Sequence, residues 1–538
     1  MTTAALPLGF ETPERARVYR ARYLIAFAVT LASVLELIDT SIVNVAIPHM
    51  MGNLGATLEE VAWVSTGYIV ANVIVLPLTP WFADRFGRRN YYVGSIALFT
   101  VASYFCGNAS SLEGLVLWRV IQGIGGGALI ATAQAIMFDI FPLHERGIGM
   151  AIFGIGVMVG PSLGPTLGGW ITDNYNWPWI FYINLPLGAL AGYLCWRLVP
   201  EPSHQARRSR EVDWLGIALL ITGIGTLQIF LERGESRGWF ESAEIQIEAV
   251  VAIGAILGFI WQELTTEHPA VDLRILKNRQ LAGGVIFGSA LGVALYASVF
   301  ALPVFLQRVL GYSAEETGWV ILPGALASAA TMAVMGRIIP KIDVRASIVV
   351  GVGLYFWSMV LHSRLTGETG TPDLLWPLIF RGVGLGLIFP PLTQAAVADL
   401  KPAQLGQGTG LFSLSRQLGG SFGIAIVASL VSRFSEGAYE GLRSHITTAD
   451  PAAVDRIDAA TRRFMALGNP LDLAHQNAMA FVDFAVRKQA GVLAFEKVFL
   501  IMGIAFVAAV PLLLLFRTGR VGGRAMAPTP PSSVRSGR

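Results

Sequence analysis

Apolar runs long enough to cross a bilayer dominate the chain, and polar residues are confined to the breaks between them. Taken in order, the runs predict helices over 23–50, 58–82, 91–108, 112–140, 146–172, 179–199, 213–231, 245–264, 281–307, 315–339, 346–364, 374–398, 406–433 and 491–516. The expected fold class is all-α: a polytopic membrane protein of fourteen transmembrane helices. One long polar stretch, 434–490, separates the last two. Within it Thr448-Ala449-Asp450-Pro451 reads as a capped helix start with proline in the first turn, and Leu471 to Arg487 reads as a second helical stretch.

Two similar units are visible in this pattern. The stretch from Gln122 through Gly127 resembles that from Arg381 through Gly386, and the same offset pairs Gly147, Gly149 and Phe153 with Gly406, Gly408 and Phe412. Two successive helices sharing one offset imply a duplicated six-helix unit with its axis along the membrane normal. The chain then divides into a tail 1–22, a six-helix bundle 23–199, a linker 200–280 with two inserted helices, a second bundle 281–516 that includes 434–490, and a tail 517–538.

Composition agrees, with 54% hydrophobic and 14% charged residues, too apolar for a soluble enzyme of this length. The net charge of +3 implies no nucleic-acid partner. Where the cations fall is more telling. Arg85, Arg88, Arg89, Arg207, Arg208, Arg210, Arg274, Lys277 and Arg279 all lie on the side of the amino terminus, which places both termini in the cytoplasm and 434–490 outside. Arg15, Arg17, Arg20 and Arg22 look like the start of a signal peptide. The apolar run behind them is interrupted by Glu36 and Asp39 and followed by another span, so no cleavage is expected. Cys106 and Cys195 sit in apolar runs without metal-ligand spacing, so neither a disulfide framework nor a metal site is indicated.

Candidate chemistry begins with those two acids. A carboxylate at mid-membrane costs at least about 2.5 kcal/mol, so Glu36 and Asp39, three apart on one helical face, read as proton-coupling residues that titrate as a pair. Asp39 lies about 24 Å along its helix from Tyr23, at a depth where Arg119 of the fourth helix can meet it. A fixed ion pair locking the two helices is one reading of Asp39 and Arg119. The other is a pair broken by protonation, with substrate competing for it. The turn around Asp84, Arg85, Gly87 and Arg88 reads either as a positive-inside anchor or as a gate in which Asp84 latches onto the helix opened by Gly406 to Gly410. Gly156, Gly160, Gly164 and Gly168 recur at intervals of four, with Pro161 and Pro165 beside them; the spacing allows close helix packing and a bendable contact between the two bundles. Asn44, Tyr68, Gln122, Phe153, Tyr296, Phe412 and Arg416 are candidates to line a substrate pocket. Gly406 to Gly410 superficially looks like a dinucleotide turn but opens a membrane helix, and no P-loop sequence occurs, so any energy source is an ion gradient and no cofactor is expected.

Four motifs carry a family resemblance: Leu37 to Pro48 with its Asp39, Asp84-Arg85-Phe86-Gly87-Arg88-Arg89, Arg119-Val120-Ile121-Gln122-Gly123, and the run Gly156 to Gly169 with Gly160-Pro161. In these the chain resembles the fourteen-helix drug:proton antiporters of the major facilitator superfamily, the EmrB/QacA group. The resemblance implies export of lipophilic small molecules across a bacterial inner membrane. It implies Asp39 in proton coupling with Arg119 as its relay partner, Asp84 and Arg88 as a cytoplasmic gate, and the glycine-proline run as the antiporter hinge. In Gram-negative bacteria it further implies a periplasmic adaptor protein and an outer-membrane channel. Two departures stand out: Pro80 occupies the place where the gate motif starts with glycine, and Glu36 is an additional acid. A gradient-independent metabolite facilitator and a non-transporting membrane receptor or scaffold are the alternatives.

Overall fold

A computed structural model describes residues 12–142, 144–201, 212–401, 404–446 and 450–516. Arg207, Arg208, Arg210, Thr448, Ala449, residues 1–11 of the first tail and all of 517–538 lie outside the described residues. The described chain is helical, beginning with α1 (Pro13–Leu54), α2 (Leu58–Phe86), α3 (Arg88–Gly107), α4 (Leu112–Gly126), α5 (Leu129–Ile140), α6 (Arg146–Asn174), α7 (Trp179–Tyr182) and α8 (Asn184–Leu198). The inserted pair is α9 (Trp214–Arg233) and α10 (Ala243–Thr265). There follow α11 (Arg279–Val304), α12 (Ala314–Ile338), α13 (Val344–His362), α14 (Thr371–Ala396), α15 (Leu405–Ser444), α16 (Pro451–Ala466) and α17 (Leu471–Ala508). Among the described residues thirteen helices or helix pairs are long and apolar enough to cross a membrane; with α3, whose polar start dilutes its apolar run, the number agrees with the fourteen expected.

Several predicted boundaries change for physical reasons. The fourth predicted helix breaks between α4 and α5 at a run of glycines. There a Cβ on Gly123 would lie 2.4 Å from the Tyr68 carbonyl and one on Gly127 2.5 Å from the Asn72 carbonyl, so α2 reaches the backbone itself. The expected turn 80–89 shrinks to Gly87, whose φ of +87° suits glycine; Asp84 and Arg85 therefore belong to the last turn of α2 and Arg88 to the first of α3. The predicted last helix, 491–516, gives way to a 3-10 turn over Val510–Leu515 that carries Pro511. The stretch 434–490 is not a separate loop element. α15 and α17 run straight through its two ends, and α16 packs on α17 with Asp450 as its N-cap, accepting from the Ala452 amide at 3.0 Å.

Packing sorts the helices into the two bundles, joined along two seams. One is α6 against α12, where the Cβ of a residue replacing Gly147 would stand 2.7 Å from the Gly336 carbonyl oxygen. The other is α15 against α2 and α5. The inserted pair α9–α10 packs on α2, and Trp239 of its connection donates through Nε1 to Ser429 Oγ of α15 at 2.8 Å.

Candidate functional site

Asp39 and Arg119 meet at the heart of the first bundle, as depth along their helices predicts. Both are buried, at 0% and 1% exposure, and Arg119 Nη1 donates to Asp39 Oδ2 at 2.5 Å. The other carboxylate oxygen, Oδ1, accepts from Gln122 Nε2 at 2.9 Å and from Asn184 Nδ2 at 2.8 Å. The guanidinium is equally occupied: Nη1 also reaches Gln122 Oε1 at 2.8 Å, Nε donates to the Val64 carbonyl at 3.0 Å, and the Tyr68 ring lies 4.2 Å from Cζ. Arg119 and Gln122 share one face of α4 because they are three apart. An ion pair inside an apolar bundle is tolerated only with its remaining hydrogen bonds satisfied, and here both carboxylate oxygens and the Nε and Nη1 of the guanidinium have partners.

Glu36 stands one turn away in a different environment. Its Oε1 accepts from Asn72 Nδ2 at 2.9 Å, while Oε2 is buried without a hydrogen-bond partner. Asn72 Oδ1 in turn accepts from Gln417 Nε2 of the second bundle at 3.1 Å. The two acids share no hydrogen-bond partner, one clasped by a cation and two amides and the other by one amide, yet Asp39 stands within electrostatic reach of Glu36. Arg416 is within electrostatic reach of Glu36 and pairs with no carboxylate among the described residues. Its Nη1 donates to Tyr296 Oη at 3.2 Å and its Nε is buried without a partner.

The substrate-pocket candidates do not gather in one place. Gln122 and Tyr68 belong to the Asp39 cluster. Phe412 lies under Gly288 within the second bundle, and Asn44 is exposed, accepting from Ser65 Oγ at 3.2 Å. Phe153, Tyr296 and Arg416 do converge, since Phe153 stacks across the seam on Phe389 with centroids 6.5 Å apart and the Arg416 guanidinium lies 5.6 Å from the same ring.

Where α2 meets α3, Arg88 pairs with Asp139 of α5 at 3.3 Å, and Arg89 lies 4.0 Å from Glu201, which also covers Gly87. Arg85 sits 5.7 Å over the Trp81 ring. Pro80 of α2 lies against the start of α15, 3.3 Å from where a Cβ on Gly410 would be. The bulk of proline in place of the motif's glycine is accommodated by glycine on the facing helix. The stripe Gly156, Gly160, Gly164 and Gly168, with Pro161 and Pro165 on the same helix, faces α1 and not the other bundle: a Cβ on Gly164 would fall 3.0 Å from the Ile42 amide and collide with Ser41. The seam with α12 uses the other side of α6, through Gly147 and Gly154.

Asn184, Asn72, Asp139 and Glu201 are not singled out by the sequence. Amides and loop-edge acids do not stand out there, whereas a charge within an apolar run does.

A family model of the Major Facilitator Superfamily matches residues 29–424. The chain is 33% identical over 513 residues to the multidrug export protein EmrB of Escherichia coli K12, covering 93% of this chain and 97% of the relative. It is 30% identical to the fatty acid resistance protein FarB of Neisseria gonorrhoeae, covering 91% and 95%. Among solved structures, the proton:xylose symporter XylE superposes with a TM-score of 0.56 at 13% identity over 93% of this chain and 96% of its own. The human organic anion transporter MFSD10 does so with a TM-score of 0.55 at 15% identity, over 92% and 100%.

Proposed function

The chain belongs to the major facilitator superfamily, and from that membership we propose that it exports lipophilic small molecules across the bacterial inner membrane by alternating access, driven by protons. The substrate class rests on relatives named for multidrug export and fatty acid resistance. Proton coupling rests on one observation above others, the buried Asp39–Arg119 pair.

The pair works as a charge-state switch. Ionised Asp39 neutralises Arg119, and both are satisfied. A proton on Asp39 removes the counter-charge and leaves a buried guanidinium unpaired, a state that costs about 3–5 kcal/mol unless the cation finds water or another anion. Protonation is thereby tied to a rearrangement of α1 against α4. That strain is relieved when the helices move, and deprotonation on the other side restores the pair.

Both termini are read as cytoplasmic from the distribution of cations, which sets α16 and the outer ends of α15 and α17 in the periplasm. Exposed Phe481 and Phe484 on that element offer a face to an adaptor protein leading to an outer-membrane channel.

The test is transport of a lipophilic fluorescent dye by the purified protein in proteoliposomes with an imposed proton gradient. Proton-driven export predicts movement that stops when an ionophore collapses the gradient. Movement of the same rate and extent without a gradient would make the protein a facilitator.

A further inference from the structure

The acid that pairs with no cation lies at the seam between the bundles. From Glu36 of α1 the hydrogen bonds pass to Asn72 of α2 and on to Gln417 of α15, at 2.9 and 3.1 Å. Polarity along this chain is set at one end. An ionised carboxylate only accepts, so Asn72 must present Nδ2 to Glu36 and Oδ1 to Gln417, which then donates.

The second bundle receives that chain on a continuous face. Gly410, Ser413 and Gln417 are three and four apart on α15; Gly410 abuts Pro80, Ser413 Oγ donates to Gln134 Oε1 of α5 at 3.0 Å, and Gln417 reaches Asn72. Gln417 is the innermost of the three contacts, and Pro80 against Gly410 closes the cytoplasmic end.

We propose that Asn72 and Gln417 are positioning residues that read the charge on Glu36, holding α15 against α2 when Glu36 is ionised and releasing the cytoplasmic seam when it is protonated. A charge-assisted hydrogen bond is roughly twice as strong as a neutral one, so protonation weakens the first link. It also frees the direction of the second once the carboxyl rotates, because the O–H can then donate to Asn72 in place of accepting from it. The vacant Oε2 is the oxygen that takes the proton.

The ionisable groups around Glu36 are few. Asp39 on α1 is neutralised by Arg119; Tyr68 of α2 and Tyr92 of α3 are neutral phenols; Arg416 of α15 is the one cation facing it among the described residues. Arg416 favours the ionised, latched form, so removing the charge from Glu36 also removes an attraction across this seam.

This inference deepens the antiport reading and rests on it for its purpose, yet it is measured separately. Spin labels are placed at Phe86→Cys and Lys401→Cys, at the cytoplasmic ends of α2 and before α15, in the full chain with Cys106→Ala and Cys195→Ala, in lipid nanodiscs. Pulsed distance measurements are made at pH 5 and pH 8. The parent is expected to be short at pH 8 and longer at pH 5. Each variant is examined for a monodisperse profile; Asn72→Leu is expected to shift the short-to-long ratio at pH 8 by about ten-fold, the size of its charge-assisted bond to Glu36, and Gln417→Leu by about five-fold, the size of a neutral amide–amide bond, and both are expected to lose most of the pH response. Glu36→Gln is expected to lose most of the pH response of this distance. A parent-like pH response in Gln417→Leu or Glu36→Gln overturns the latch, whatever the dye assay shows. Absence of proton-driven transport with these distances as expected would instead overturn the antiport reading alone.

Discussion

At the scale of the residue, the Asp39 site is defined by what its loss would strand. Asp39→Ala leaves Arg119 buried with only Gln122 and a carbonyl, and is expected to destabilise the protein by about 3–5 kcal/mol. Asp39→Asn keeps an oxygen for Arg119 and is expected to lose less. Thermal unfolding in detergent should place the two variants in that order, and adding Arg119→Met to Asp39→Ala should recover part of the loss. The pairing itself was legible because a charge in an apolar run needs a counter-charge at equal depth, and helical rise gives the depth. Asn184 was not, since an amide near a helix start has many ordinary reasons to be there. Glu36 was legible as a costly acid, but its route through Asn72 to Gln417 depends on how α2 and α15 approach one another.

At the scale of the element, α6 serves two interfaces with two glycine faces. Gly164→Ala forces the α1 contact apart, because the nearest neighbours include the backbone amide of Ile42 and the Ser41 side chain; a loss of about 1–3 kcal/mol is expected in a denaturation series. Gly147→Ala is a different matter, its Cβ facing a carbonyl across the seam. It should raise cytoplasmic labelling of cysteines on the seam while changing stability less. Gly437→Ala, with nothing within 4 Å, is the control and should gain about 0.5–1 kcal/mol from helix propensity alone. Spacing of four revealed the stripe but not its partner, since the same periodicity suits any close neighbour. The extension of α15 and α17 past the predicted ends was likewise hidden: outside the bilayer a helix carries no apolar run, and α16 shows only an ordinary amphipathic pattern.

At the scale of the whole molecule, fourteen helices in two bundles with an inserted pair follow from the hydropathy pattern and the internal offset, because a bilayer leaves helices few alternatives. The orientation yields its own prediction. Asp458→Cys on α16 should react with a membrane-impermeant maleimide in intact cells, and Lys401→Cys only after permeabilisation; the reverse pattern would invert the topology. On the proposed function, the seams, the Asp39–Arg119 pair and the Glu36 chain would form one device in which charge on α1 governs how the bundles meet. The most direct measurement of that claim is proton-gradient-driven dye transport in proteoliposomes by Asp39→Asn against the parent protein at matched folding. The expected result is loss of gradient-driven transport by at least about ten-fold, the effect of one strong charge-assisted contact. Gradient-driven transport by Asp39→Asn equal to that of the parent would contradict the account.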